Sequence, residues 1–201
     1  KSTEVLFYNA TVFEEYGFTV PTTWTEMWDL CAEIKTKLGS KVDYPLGYDS
    51  DSNLFITTCE QEGIPYTSKN GTKAEDHFLF NNDQAKAMVS DFKAKYDAKY
   101  FLTKGTQPNA TYTSTLFTNQ KILMSIGSTG GTSYNKSLNF DIGVAPIPGG
   151  TLNNHVISQG PSICFFSRAT QAEKYAAWLF YKWISNTTNS AAYSVLTGYA
   201  P

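Results

Sequence analysis

The chain has 201 residues, of which 41% are hydrophobic and 17% charged, the composition of an ordinary globular protein able to bury a core. A formal net charge of -2, with no cluster of lysine or arginine, excludes the concentrated basic field that a nucleic acid or an anionic membrane surface requires. The longest apolar stretch, around Ala176 to Tyr181, is far too short to cross a bilayer.

Val5 to Tyr8 reads as a strand, and Asn9 turns it into a short amphipathic segment carrying Phe13 and Tyr16. Thr23 and Glu26 form a capping box ahead of a helix that runs to about Leu38 and stops at Gly39. Trp24, Met27, Trp28, Cys31 and Ile34 fall on one face of it, which predicts core positions. Asp43 to Tyr48 reads as a buried strand, and the polar loop 49–53 leads to a helix from about Leu54 to Gln61; the loop can cap that helix or contact a ligand, and capping is the expected role. A surface hairpin is expected over Tyr66 to Asp76, around Asn70-Gly71, and a helix capped by Asn81 or Asn82 is expected through Asp97.

Thr103 to Thr113 reads as a polar loop and Ser114 to Asn119 as a short helix. Ile122 to Ile126 is a short apolar run suited to a buried strand, and Gly127-Ser128-Thr129-Gly130-Gly131 follows it before a polar segment expected to start a helix. Glycines there let a ligand approach the backbone, while free N–H groups and the Ser128 and Thr129 hydroxyls can donate to phosphate, carboxylate or sugar oxygens. The same residues are equally the turn and cap that many helix starts carry. Phe140 to Pro146, Val156-Ile157 and Ser162 to Phe166 read as strands. Helices are expected over Gln171 to Ile184, with Tyr175, Trp178, Leu179, Trp183 and Ile184 buried, and over Asn189 to Leu196. Strands alternating with helices make the chain α/β.

Catalytic patterns are missing. No H-E-x-x-H, G-x-S-x-G, phosphate-loop or dinucleotide fingerprint occurs, and Ser133-Tyr134-Asn135-Lys136 matches S-x-x-K without its companion motifs. Cys31, Cys59 and Cys164 are widely spaced and read as buried small apolar side chains, and His77 and His155 are isolated, so no metal or cofactor is expected. The loop 49–53 lacks the downstream glycine and glutamate of a calcium-binding loop. Tyr48, Tyr66 and the loop tyrosines remain candidates for a ligand cleft.

Several stretches together resemble the substrate-binding proteins of ABC importers, the large family that carries sugars and polyols. Lys1 to Asn9 is similar to the family's first lobe-crossing strand, and Val20-Pro21-Thr22-Thr23-Trp24-Thr25-Glu26-Met27 resembles its helix entry. Ile142-Gly143-Val144-Ala145-Pro146 and Thr197-Gly198-Tyr199-Ala200-Pro201 are similar to later landmarks, in family order. The resemblance implies a class II periplasmic-binding-protein-like fold that closes on its ligand by hinge motion. The chain would supply most of the second lobe and part of the first. Residues 1–9 would form a lobe-one strand and first crossing, 10–143 lobe two, 144–196 a return segment in lobe one, and 197–201 a crossing back toward lobe two. The abrupt ends lead to the expectation that this is a piece of a longer protein.

Within the family the likeness is greatest to binding proteins for glycerol 3-phosphate and its diesters. Their ligand-contacting positions match Ser2, Ser128, Gly160 and Tyr199, and Thr129 adjoins the second of these. Gln159 stands where they carry another glycine, and their other ligand contacts, including an arginine, lie outside this chain. The resemblance therefore implies capture of a polyol phosphate for delivery to a membrane permease, outside the cytoplasm, in the periplasm or as a cell-surface lipoprotein. A neutral mono- or oligosaccharide is the alternative ligand. An enzyme with catalytic groups outside these residues is the alternative of a different class.

Overall fold

The computed structural model describes residues 1–199, so Ala200 and Pro201, the end of the expected final crossing, lie outside the described residues. Six strands form one mixed sheet: β1 (Ser2–Asn9), β2 (Tyr44–Tyr48), β3 (Phe101–Thr103), β4 (Ile122–Ser128), β5 (Ile142–Ala145) and β6 (Ser158–Gln159). Their order is β3-β2-β4-β1-β5, with β6 paired to the start of β1. β2 runs parallel to β3 and to β4, while β1 is antiparallel to β4, β5 and β6.

Helices cover both faces. α1 (Ala10–Tyr16) and α2 (Trp24–Leu38) pack Phe13, Trp24, Met27, Leu30 and Ile34 against Leu6, Leu46, Met124 and Ile126 of the sheet. α3 (Asp51–Glu62) and α4 (Ala74–His77) follow β2, and α5 (Asp83–Asp97) leans Phe92 and Tyr96 on the same core. On the other face α6 (Thr113–Thr118) lays Phe117 against Phe7, Leu102, Ile122 and Phe140. The caps explain the boundaries: Thr23 and Glu26 close a capping box on α2, Gly39 takes a positive φ at its end, and Asn82 caps α5. α3 begins three residues ahead of the expected Leu54 because the Ser50 hydroxyl accepts from Asn53 N.

Several expectations are overturned. The stretch 66–76 is not a hairpin, because the Asp76 carboxylate gathers the N–H groups of Thr72 and Lys73 and closes α4, leaving one antiparallel bridge between Thr67 and Phe78. The strand expected at Val156-Ile157 forms instead at Ser158–Gln159, as β6, and residues 162–166 form no strand because no described strand pairs with them. Cys164 is exposed, whereas Cys31 and Cys59 are buried. Finally, α7 (Gln171–Ile184) has the expected span, its start capped by Thr170 and Glu173, yet Trp178 is 46% and Trp183 64% exposed. α7 packs on α8 (Thr187–Thr197), and no described residue covers the rest of that aromatic face well enough to bury it. No helix among the described residues is long and apolar enough to cross a membrane.

A polar cluster sits inside the sheet edge. The Glu4 carboxylate, 4% exposed, accepts from the Tyr48 hydroxyl at 2.5 Å and from Asn53 Nδ2 at 2.8 Å. Asn53 and Gln159 exchange amide hydrogen bonds at 3.2 and 2.9 Å, tying α3 to β6. Burial pushes the Glu4 carboxyl above the usual carboxylate range; the bonds from Tyr48 and Asn53 oppose this, and the charge of Asp49 adds to it. With a raised folded pKa the folded state holds the extra proton, so the Glu4 contribution to stability falls as pH rises through that window. Glu4→Gln is expected to flatten this part of the stability profile in urea titrations between about pH 4 and pH 8. An unchanged slope would show that Glu4 titrates alike folded and unfolded.

Candidate ligand-binding site

The chain passes from β2 outward to β3 and returns across it to β4, so the strand order reverses between β2 and β4. A crevice forms beyond the carboxyl ends of parallel strands at such a reversal. Here a cavity of about 560 Å³ is lined by Asp49 after β2, by Ser125, Gly127 and Ser128 of β4, by the start of α6, and by Tyr112, Tyr134 and Tyr199. No lysine, arginine or histidine is among its lining residues.

The glycine-rich stretch builds one wall. Ser128 ends β4 directly opposite Glu4, and a 3-10 helix over Thr129–Tyr134 follows in place of the expected α-helix. The Ser128 hydroxyl accepts from Gly130 N at 3.1 Å, and Thr129 Oγ1 accepts from Thr3 N at 3.4 Å. Both oxygens therefore cap backbone inside the protein, which leaves their O–H groups to donate to a ligand. The Tyr199 ring lies over Gly130, where an added Cβ would approach it to 2.8 Å. Gly198 has φ +74°, and a Cβ there would fall 2.3 Å from the Thr129 carbonyl oxygen. The Thr-Gly-Tyr segment thus docks on the 3-10 helix through two positions that only glycine fits.

The five residues singled out from sequence fall into two groups. Ser128 and Tyr199 line the cavity, and Thr129 adjoins them through its contact with Gly198. Ser2 and Gly160 sit instead at the junction of β1 and β6: Ser2 is buried and donates to Gln159 O at 3.4 Å, while Gly160, at φ +140°, faces Lys1. Two tyrosines left open as cleft candidates are elsewhere, since Tyr48 is buried against Glu4 and Tyr66 packs edge-on to Phe55.

Sequence reasoning missed Thr113 and Ser125, and for the loop that opens with Asp49 it favoured helix capping over ligand contact. Asp49 Oδ1 accepts from Thr113 N at 3.1 Å and from Thr113 Oγ1 at 3.3 Å, and Thr113 Oγ1 lies 2.9 Å from Ser125 Oγ. The signal available was Asp49's place directly after a parallel strand, where ligands gather in open α/β sheets. A larger cavity, about 870 Å³, lies between Lys1, the 161–165 segment and the exposed aromatic faces of α7 and α8. Its walls are mostly apolar, the character of an uncovered core face. Among the described residues no group of three or more His, Cys, Asp or Glu side chains is placed to hold a metal ion.

An open mixed sheet with its crevice at the carboxyl ends of β2 and β4 is the fold of periplasmic sugar-binding proteins. It resembles the sugar-binding protein MalE of Xanthomonas citri with a TM-score of 0.80 at 18% identity, over 100% of this chain and 50% of that one. The chain belongs to the family of bacterial extracellular solute-binding proteins, whose profile matches residues 1–201. It is 27% identical over 212 residues to the sn-glycerol-3-phosphate-binding periplasmic protein UgpB of Rhizobium meliloti (strain 1021), covering 100% of this chain and 47% of that protein. UgpB of Mycobacterium tuberculosis, solved in complex with glycerophosphocholine, has a TM-score of 0.70 at 20% identity over 100% of this chain and 49% of that one. The chain spans about half the length of these relatives.

Gly198→Ala should destabilise the fold by about 1 to 3 kcal/mol, since it adds a steric clash to a left-handed backbone. Gly17→Ala, also left-handed at φ +67° but with nothing within 4 Å of an added Cβ, is the control. Denaturant titration should rank Gly198 the costlier; equal losses would show that the Thr129 contact is not tight.

Proposed function

We propose that the full-length protein is the solute-capturing component of an ABC importer and that the cavity beyond β2 and β4 takes a polyhydroxylated solute, a polyol or saccharide. The observation that carries this reading is the lining: serine and threonine hydroxyls, one carboxylate and three tyrosines, without a cationic side chain. Such walls exchange hydrogen bonds with ligand hydroxyls and cover the C–H faces of a carbon skeleton with rings. Ser128 donates its hydroxyl, and Tyr199 donates its phenol or packs against the skeleton. Binding without turnover fits a family of solute-binding proteins. The family description supports a place outside the cytoplasm; the importer reading adds the periplasm or a cell-surface lipoprotein as that place and a membrane permease as partner.

In this reading β1 and the 197–199 segment act as crossings between two lobes, residues 10–143 form most of the second, and 144–196 return to the first. Ser2, Thr129 and Gly160 flank the first crossing and reach ligand only when the lobes close. A second reading has a specific observation in its favour: the likeness to UgpB, named for sn-glycerol 3-phosphate, supports a polyol phosphate or its diester. Cationic contacts to the phosphate would then come from outside residues 1–201.

A thermal-shift titration of the full-length protein against ribitol, maltose, glycerol 3-phosphate and glycerophosphocholine separates the two. A ligand at a hundredfold excess over its Kd stabilises by about 2.7 kcal/mol. A shift with ribitol or maltose alone supports the first reading, and one with the phosphorylated polyols alone supports the second. Recovery of a chemically altered ligand would overturn both in favour of an enzyme. Ser128→Ala should weaken binding of the responding ligand about twofold to tenfold, the value of one neutral hydrogen bond. Unchanged affinity by calorimetry would remove Ser128 from the site.

A further inference from the structure

We infer that Asp49 sets the charge selectivity of the cavity, its carboxylate accepting from the hydroxyls of a neutral polyol or saccharide and turning away phosphate. This deepens the first reading above and rests on it. Asp49 follows β2, and its N–H donates to Ile126 O at 2.9 Å, which carries the β2–β4 pairing one residue past the strand and fixes the backbone. Its Cβ faces Gly127, where an added Cβ would stand 3.6 Å away.

The carboxylate is held from one side. Thr113 N and Thr113 Oγ1 both reach Oδ1, and Thr113 Oγ1 also pairs with Ser125 Oγ. Thr113 and Ser125 are each 1% exposed, so this is a buried support. When the Thr113 proton points to Asp49, the Ser125 proton points to Thr113, and the row of hydroxyls runs as donors toward an ionised acceptor. Among the described residues no hydrogen bond reaches Oδ2, which leaves that oxygen to accept from ligand hydroxyls.

Nothing in the lining offsets the charge. Lys104 is not a lining residue, and its ammonium lies 3.4 Å from the centroid of the Tyr112 ring, which does line the cavity. A neutral diol donates to a carboxylate in charge-assisted hydrogen bonds, whereas the phosphate dianion has only acceptor oxygens and negative charge to present to it. The same anchored carboxylate that binds the one repels the other.

Calorimetry on the full-length wild-type, Asp49→Asn and Thr113→Val proteins, with ribitol, maltose and glycerol 3-phosphate, tests this. Asp49→Asn should weaken the neutral ligand about tenfold to hundredfold while affinity for glycerol 3-phosphate holds or rises, so the preference between them drops at least tenfold. Thr113→Val keeps the charge and the backbone N–H to Oδ1 but loses the hydroxyl, and should weaken the neutral ligand while glycerol 3-phosphate stays excluded. A parallel loss of both ligands in Asp49→Asn, or a wild type that prefers glycerol 3-phosphate, overturns the role given to Asp49. A wild type that binds none of the three overturns the cavity reading itself, and this inference with it.

Discussion

The position of β1 is the constraint on which the rest depends. This single strand runs antiparallel to β4 on one side and β5 on the other, and its first residues also pair with β6. Because side chains alternate along a strand, a slip of one residue would exchange the sets that β1 sends to the two covered faces of the sheet. Glu4 would then lose the Tyr48 and Asn53 donors that make its burial tolerable, and Leu6 would leave the core. The same register sets Ser128 opposite Glu4 and brings Thr3 N to Thr129, so the wall of the cavity inherits its position from the centre of the sheet.

Two carboxylates stand near one another with different surroundings. Glu4 is enclosed by Tyr48 and Asn53 and serves the joint between β1, β2, α3 and β6. Asp49 is anchored through one oxygen to α6 and borders open space. Polarity closed within the fold and polarity open to the cavity are thus divided between two carboxylates on the strands that flank β4. The division works because Thr113 and Ser125 satisfy each other within the α6–β4 interface and need no ligand to do so.

Much of the local structure was legible because it is written in neighbouring residues. The Thr23–Glu26 and Thr170–Glu173 boxes and the Asn82 cap are contacts three residues apart, and they set the starts of α2, α7 and α5. What failed depends on distant partners. A strand at 162–166 needs a distant neighbour to pair with, and the apolar stripe of Trp178 and Trp183 states that a cover is needed without naming one. The site divides similarly. Family spacing pointed to Ser128 and Tyr199, which share a cavity, and to Ser2 and Gly160, which sit at the β1–β6 junction. Asp49 looked like a capping residue because only the pairing of β2 with β4 brings it beside Gly127. Ser50, one residue on, does cap α3.

The seating of Tyr199 on Gly130 has a consequence for how this chain can vary in length. The ring is delivered by α8, whose final turn ends at Gly198, onto a wall made some seventy residues earlier. Each residue added to or removed from a helix rotates the downstream chain by about 100° and shifts it by about 1.5 Å. α8 therefore acts as a ruler: single-residue insertions or deletions within it would swing the phenol off the glycine, whereas changes in the 66–73 loop, remote from the cavity lining, leave the aperture untouched.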